Sequence, residues 1–514
     1  MKRLALLMGV ALCLAGPVRA APKPDTVREA SVEQLQAAMA RGDLSAEVIT
    51  KASIRRIETF DKSRKLNSVI VINPGALSEA RALDAERRAG KVRGPLHGIP
   101  VLIKDNVETK DAMPTTAGSL ALKDNVTGRD APVVARLRAA GAVILGKTNL
   151  SEWANIRSNN SVSGWSAVGG LTGNAYDSPR SACGSSSGSG TAVAWSFAAL
   201  AVGTETDGSV VCPSAMNGLV GLKPSMGLIS RTHVVPISHS QDIPGPMGRS
   251  VRDVALMLSA MAGSDPADPV TAEADARRTD YAARLSPDGL KGVRLGVLRD
   301  RTGGPGKVDT AFNAALKQLE AAGAVLVDIP TSSVEGLNTA ELTVLQTELK
   351  ADLNAYLATT PPGVKTRTLA EVIAFNTAEA AKEMPFFGQE FFEAAEKTGG
   401  LNDPAYKAAA HKAKTLARSH IDGLLNAYSV SLLVAPTYGL PWLSDEVNGD
   451  QFSGPSASQW PAMSGYPHLT VPMGQVQGLP LGLSLIGPQW SDEDLLRAGY
   501  AFEQVAKARV PPKE

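Results

Sequence analysis

The run Ser181-Ala182-Cys183-Gly184-Ser185-Ser186-Ser187-Gly188-Ser189-Gly190 constrains this chain more than any other stretch. Its composition alone would permit a flexible linker. It leads directly into a helix-like segment over 191–201, however, and is flanked by other sharply patterned segments, so it reads as a structured loop. Two of those segments matter chemically. Lys104 closes the apolar Gly98-Ile99-Pro100-Val101-Leu102-Ile103-Lys104-Asp105, and Ser209 ends Gly203-Thr204-Glu205-Thr206-Asp207-Gly208-Ser209. A serine hydroxyl is a weak nucleophile until a base takes its proton. A lysine at the end of an apolar strand can be that base, because burial favours the neutral amine. Glycines allow tight turns and leave backbone N–H groups open to an oxyanion. Serine, lysine and open backbone together point to acyl transfer.

The surrounding pattern is α/β. Ser31 and Gln34 form a capping box ahead of Leu35 and Met39, and a second helix is expected over 45–60. Residues 100–103 form a short apolar strand that delivers Lys104 at its end. A helix over 132–140 stops at Gly141 and a strand follows over 142–145; the same punctuation recurs as a strand over 293–298, a helix over 308–322, Gly323, and a strand over 324–329. Helices alternating with apolar strands imply one sheet covered on both faces. Residues 338–428 read as mostly helical, broken at Pro361-Pro362, Gly388 and Gly399-Gly400. Phe386, Phe387, Phe391 and Phe392 concentrate there, as core or as the lining of a substrate cleft.

Lys2 and Arg3, the apolar stretch 4–16 and the small-residue site Val18-Arg19-Ala20 read as a signal peptide over 1–20. The expected product is a catalytic domain over 21–514, exported to the periplasm or outside the cell, with no membrane attachment after cleavage. Without Lys2, Arg3 and Arg19 the balance is 49 basic to 51 acidic residues. That near-neutrality argues against nucleic acid as a partner. The histidines show no His-x-x-x-His spacing and the cysteines no Cys-x-x-Cys, so neither a metal nor another cofactor is expected.

Two rival serine chemistries fail on pattern. Gly184-Ser185-Ser186-Ser187-Gly188 satisfies Gly-x-Ser-x-Gly with Ser186 as nucleophile, but the preceding Tyr176-Asp177-Ser178-Pro179-Arg180 is polar and turn-like where a strand is required. No serine has a lysine three positions later, which removes the Ser-x-x-Lys arrangement of β-lactamases.

The motifs resemble the amidase signature family. The likeness runs through Gly94-Pro95-Leu96-His97-Gly98-Ile99-Pro100-Val101, Gly146-Lys147-Thr148-Asn149-Leu150-Ser151-Glu152, the Gly/Ser run, Gly218-Leu219-Val220-Gly221-Leu222-Lys223-Pro224, Gln241-Asp242-Ile243-Pro244-Gly245-Pro246-Met247 and Gly478-Leu479-Pro480-Leu481-Gly482-Leu483. It is weakest over about 265–430, where substrate specificity is expected. The resemblance implies a single-domain amidase signature fold, with a large central mixed β-sheet between helices. It implies carboxamide hydrolysis by a Ser–cis-Ser–Lys triad through an acyl-enzyme. Lys104 would be the base, Ser185 the bridging serine at a cis peptide, and Ser209 the nucleophile. The backbone N–H groups of Thr206, Asp207, Gly208 and Ser209 would form the oxyanion hole, where one donor is worth about 3–4 kcal/mol in other enzymes.

The chain also departs from the commonest family pattern. Glu205 stands for an aspartate, Asp207 for a glycine and Val211 for an arginine. With Val211-Cys212-Pro213, Ser151-Glu152-Trp153-Ala154-Asn155 and Cys183-Gly184-Ser185, this form resembles the bacterial peptide amidases, implying C-terminal peptide amides as substrates. Small aryl or aliphatic amides, or an idle amide-binding protein, are the alternatives. Asp207 either repels a free carboxylate or is tied within its loop. Cys183 and Cys212, each within three residues of an expected catalytic serine, are either two packed thiols or a bridge.

Overall fold

Pro100–Lys104 is buried at every position, as a strand covered on both faces must be. A computed structural model describes residues 24–303 and 306–514; the expected leader over 1–20 lies outside the described residues. In chain order the strands are β1 (Val69–Ile72), β2 (Pro100–Lys104), β3 (Val143–Thr148), β4 (Trp165–Ser166), β5 (Gly170–Leu171), β6 (Leu200–Glu205), β7 (Val220–Lys223), β8 (Ile243–Gly248), β9 (Arg294–Leu298), β10 (Val325–Ile329), β11 (Leu432–Pro436), β12 (His468–Val476) and β13 (Leu479–Ile486). Eleven of them form one mixed sheet in the order β1-β3-β2-β6-β8-β7-β12-β13-β11-β9-β10, while β4 and β5 pair separately. β2 lies parallel to both β3 and β6, and β8 runs antiparallel to β6 and β7. Lys104, Glu205 and Lys223 therefore all stand at strand ends.

Helices close the faces by their apolar stripes. Val251–Met261 buries Val251, Val254, Ala255, Leu258 and Met261, and Asp492–Ala506 buries Leu495, Leu496, Ala498 and Phe502. Ser31 caps its helix reciprocally with Gln34, as expected. The region between β10 and β11 is helical and builds its own core from Leu349, Leu353, Tyr356, Leu369, Val372 and Phe392 around Trp153. The phenylalanines there are packing residues: Trp153 meets Phe392 edge-on at 5.8 Å, and Trp165 meets Phe386 at 5.6 Å and Phe387 at 5.3 Å. Among the described residues no helix is long and apolar enough to cross a membrane.

The expected helix over 191–201 is corrected. The helix is Ser187–Ala194, starting inside the Gly/Ser run, and Leu200 already belongs to β6. Ser196 takes a positive φ of 55°, which ends the helix, and the small apolar residues beyond it enter the sheet. Periodicity cannot separate a helix from a strand when every residue of both is buried.

Candidate active site

Lys104 leaves the end of β2 between two parallel neighbours, with none of its side chain exposed. Its Nζ lies 2.7 Å from Ser185 Oγ, 2.8 Å from Thr204 Oγ1 and 3.1 Å from the Thr204 carbonyl. Asn106 Nδ2 donates to the same Thr204 hydroxyl at 3.0 Å. Burial pushes the Lys104 ammonium down to about 7, with the Asp242 and Glu205 carboxyls pulling the other way. A neutral amine suits this setting: it donates two hydrogens to Thr204 and keeps its lone pair for the Ser185 hydroxyl.

Ser185 follows a cis Gly184–Ser185 peptide, as the resemblance implied. Its carbonyl accepts the Ser151 N–H at 3.1 Å, and a side chain at Gly184 would overlap the Ser151 hydroxyl. Ser186 is fully buried, with its Oγ donating to the Thr204 carbonyl at 3.1 Å and accepting the Thr204 N–H at 3.2 Å. It is a structural tie, which removes the Gly-x-Ser-x-Gly alternative.

Ser209 sits on the turn between β6 and the helix Val211–Met216, with 8% of the residue exposed. Its carbonyl accepts the Ser186 N–H at 3.1 Å, so the two serine loops are joined through their backbones. Among the described residues, the backbone N–H groups of Thr206, Asp207, Gly208 and Ser209 have no protein acceptor. Gly208 takes a φ of 79°, and a side chain there would strike the Tyr438 hydroxyl. Cys183 and Cys212 form a disulfide with Cα atoms 6.0 Å apart, joining the start of one loop to the helix after the other. The bridged form is therefore the one the fold adopts.

Several supporting residues were given no role by the sequence reading. Glu205 Oε2 accepts the N–H groups of Val210 at 2.8 Å and Val211 at 3.0 Å, pinning the turn just beyond Ser209. Asp242 accepts the Thr206 hydroxyl at 2.6 Å and the Ile237 and Ser238 N–H groups, while burial pushes its carboxyl up to about 6. Glu341, from the helix Leu337–Leu357, accepts amide hydrogens from Gln241 at 3.0 Å and Gln459 at 2.9 Å. It lies in the weakly matched region, where nothing in the residue pattern singles it out.

A cleft of about 470 Å³ opens alongside, lined by Asn106, Thr204, Thr206, Asp242, Arg231, His239 and Asp352 among others. Lys104, Ser185 and Ser209 do not line it; it meets them through Thr204 and Thr206. The histidines have other duties. His97 Nε2 hydrogen-bonds the Leu83 carbonyl at 2.9 Å, and burial pushes His468 down to about 3 against Ser484. His239, Glu348 and Asp352 cluster at the cleft edge, but Tyr406 and the Ser238 and Ser240 hydroxyls already occupy Glu348.

A family model for amidases matches residues 48–496. This chain belongs to the amidase family. It is 38% identical to a protein described as a probable amidase of Arabidopsis thaliana, over 95% of this chain and 92% of that one. It is 35% identical to a glutamyl-tRNA(Gln) amidotransferase subunit of Salinispora tropica, over 94% and 98% of the two chains. The native peptide amidase of Stenotrophomonas maltophilia superimposes with a TM-score of 0.90 at 48% identity, covering 94% of this amidase and 98% of that structure. A peptide amidase in complex with the competitive inhibitor chymostatin superimposes with a TM-score of 0.92 at 48% identity, over 96% and 100%. The family and these neighbours establish an amide-hydrolysing enzyme.

Proposed function

We propose that this amidase hydrolyses C-terminal peptide amides to the peptide acid and ammonia through a serine acyl-enzyme. The contact between a buried, depressed Lys104 amine and Ser185 Oγ at 2.7 Å carries this reading. Neutral Lys104 takes the Ser185 proton while Ser185 Oγ takes the proton of Ser209, whose oxygen attacks the amide carbon. The oxyanion forms among the unclaimed N–H groups of residues 206–209. Ser185 then gives a proton to the departing nitrogen, so that ammonia rather than an amide anion leaves. Water then attacks the ester as its proton passes through Ser185 to Lys104, and the same relay run backwards returns a proton to Ser209 Oγ as the ester breaks, restoring the neutral amine.

Likeness at 48% identity to two peptide amidase structures favours peptide amides over other carboxamides. Ammonia release from amidated dipeptides, set against benzamide and aliphatic amides, tests the substrate class. The peptide amides should lead in kcat/KM, and a preference for benzamide would reassign the enzyme. The leader over 1–20 and the Cys183–Cys212 bridge favour an exported, periplasmic enzyme, because disulfides persist in oxidising compartments. Fractionation of producing cells, with the mature N-terminus sequenced at Ala21, checks that assignment; an intact leader on cytoplasmic protein would refute it.

A further inference from the structure

Asp207 is the one member of the oxyanion loop with a carboxylate, two residues before Ser209. Part of the residue is exposed, yet its Oδ1 is buried and without a hydrogen-bond partner among the described residues. Ser458 supports the group, and Ser458 is itself 2.8 Å from the Tyr438 hydroxyl. Glu341 faces it from the helix Leu337–Leu357, with both oxygens already taken by Gln241 and Gln459. Lys223 lies behind as the buried cation that acts on both Asp207 and Glu205. A buried oxygen left unpaired costs about 1–3 kcal/mol; Glu205 Oε1 is unpaired too but its residue is buried, whereas Asp207 is partly exposed on the oxyanion loop, where a substrate N–H can supply the missing partner.

A primary carboxamide brings two N–H groups to this loop. One faces the proton relay; the other has no acceptor among the serines or the oxyanion N–H donors. We propose that Asp207, backed by Glu341, accepts that second N–H and so selects primary carboxamides over esters, N-alkyl amides and the carboxylate product. An ester offers no hydrogen at that place, and an N-alkyl amide puts carbon there. The product acid brings negative charge against two carboxyls, which favours its release. Glu341 adds to that rejection once it is ionised: burial and the Asp207 charge push its carboxyl up to about 7, so it is mostly charged at pH 8. This inference rests on the peptide-amide reading and adds to it the part of the substrate that is recognised.

The test compares a dipeptide amide, its N-methylamide and its methyl ester at pH 8, together with inhibition by the dipeptide acid. Asp207→Gly removes acceptor and charge, and places at this position the residue commonest in the family. Asp207→Asn keeps an acceptor and removes only the charge. For Asp207→Gly the amide-to-ester ratio of kcat/KM should fall about tenfold or more, the scale of a hydrogen bond to a charged group. Both variants, and Glu341→Gln more weakly, should bind the dipeptide acid more tightly. Equal losses on amide and ester with unchanged acid inhibition would overturn the proposal, as would a wild-type enzyme that cleaves N-methylamides as fast as primary amides. A wild-type enzyme that releases ammonia from benzamide but not from the peptide amide would fail the peptide reading instead. The amide-to-ester ratio on benzamide and methyl benzoate then tests Asp207 alone.

Discussion

One side chain, Lys104, decides whether two hydroxyls become a relay. Its ordinary value is 10.5, and burial brings it to about 7, so the base form fills as pH rises through neutrality. kcat/KM should therefore climb with pH to a plateau above about 7, with loss of activity on the acid side. Asp242 holds the ammonium form through its charge, so Asp242→Asn should move the acid limb to lower pH. A limb that stays put or moves upward would assign it to another group. Lys104→Ala should lose on the order of a hundredfold to ten-thousandfold in kcat, the range of positioned proton transfer, with thermal unfolding near that of the wild type. Near-normal turnover in that variant would end the relay argument. Glu205 supports the same turn from behind. Its Oε1 has no hydrogen-bond partner among the described residues while Oε2 holds two N–H groups, so one oxygen does the positioning.

At the scale of elements, the disulfide joins two loops that the sheet already brings together. Cys183 and Cys212 pack with Met216, Tyr438 and Trp442, so the bridge is also part of a small apolar cluster. It spans 29 residues of chain, and on the chain-entropy account a loop of that size stabilises by about 2–4 kcal/mol. Cys212→Ser should lower the melting temperature and should make activity indifferent to reductant, whereas wild-type activity should fall on reduction. A wild-type enzyme untouched by full reduction, checked by thiol titration, would show that packing alone holds the loops. The legibility of the sequence divides along the same line. Strand β2 and Lys104 could be read because an apolar run ending in a charge has few explanations. Ser185 and Ser209 came from motif resemblance, since serines in Gly-rich runs look alike and Ser186 fits a rival pattern equally well. The end of the helix at Ala194 could not be read, because Ser196 turns the chain through a backbone conformation that its residue type does not announce. Glu341 was invisible for another reason: its hydrogen bonds to Gln241 and Gln459 and its charge coupling to Asp207 join positions far apart in the chain, and no local pattern encodes them.

Across the whole molecule, the helical region over 337–427 must sit in one place for Glu341 to reach the loop. A buried charge cluster helps fix that placement. Arg157, from the loop region around β4, pairs with Glu152 and hydrogen-bonds the Glu383 carbonyl, with the Glu383 carboxyl 3.9 Å away. Its guanidinium also lies 4.3 Å from the Phe387 ring and 5.5 Å from the Trp165 ring. Glu383 returns the contact by accepting the Leu120 N–H at 2.7 Å. Burial pushes the Glu152 and Glu383 carboxyls above their usual range, and the guanidinium is the counter-charge that helps make their ionised forms tolerable, alongside the Ala167 N–H on Glu152 and the Leu120 N–H on Glu383. Arg157→Met would keep the volume and leave two buried carboxyls without a counter-charge, at a cost of about 3–5 kcal/mol when both are ionised. A group whose folded pKa is raised contributes its stability at low pH and loses it as pH rises through that pKa. The Arg157→Met penalty should therefore be smaller at pH 5 than at pH 8, where wild type and variant diverge most in melting temperature. Activity on the dipeptide amide should fall with the same pH dependence, because the displaced helical region withdraws Glu341 from Asp207. A penalty that is equal at both pH values would mean that the rings, not the charges, seat this region on the sheet.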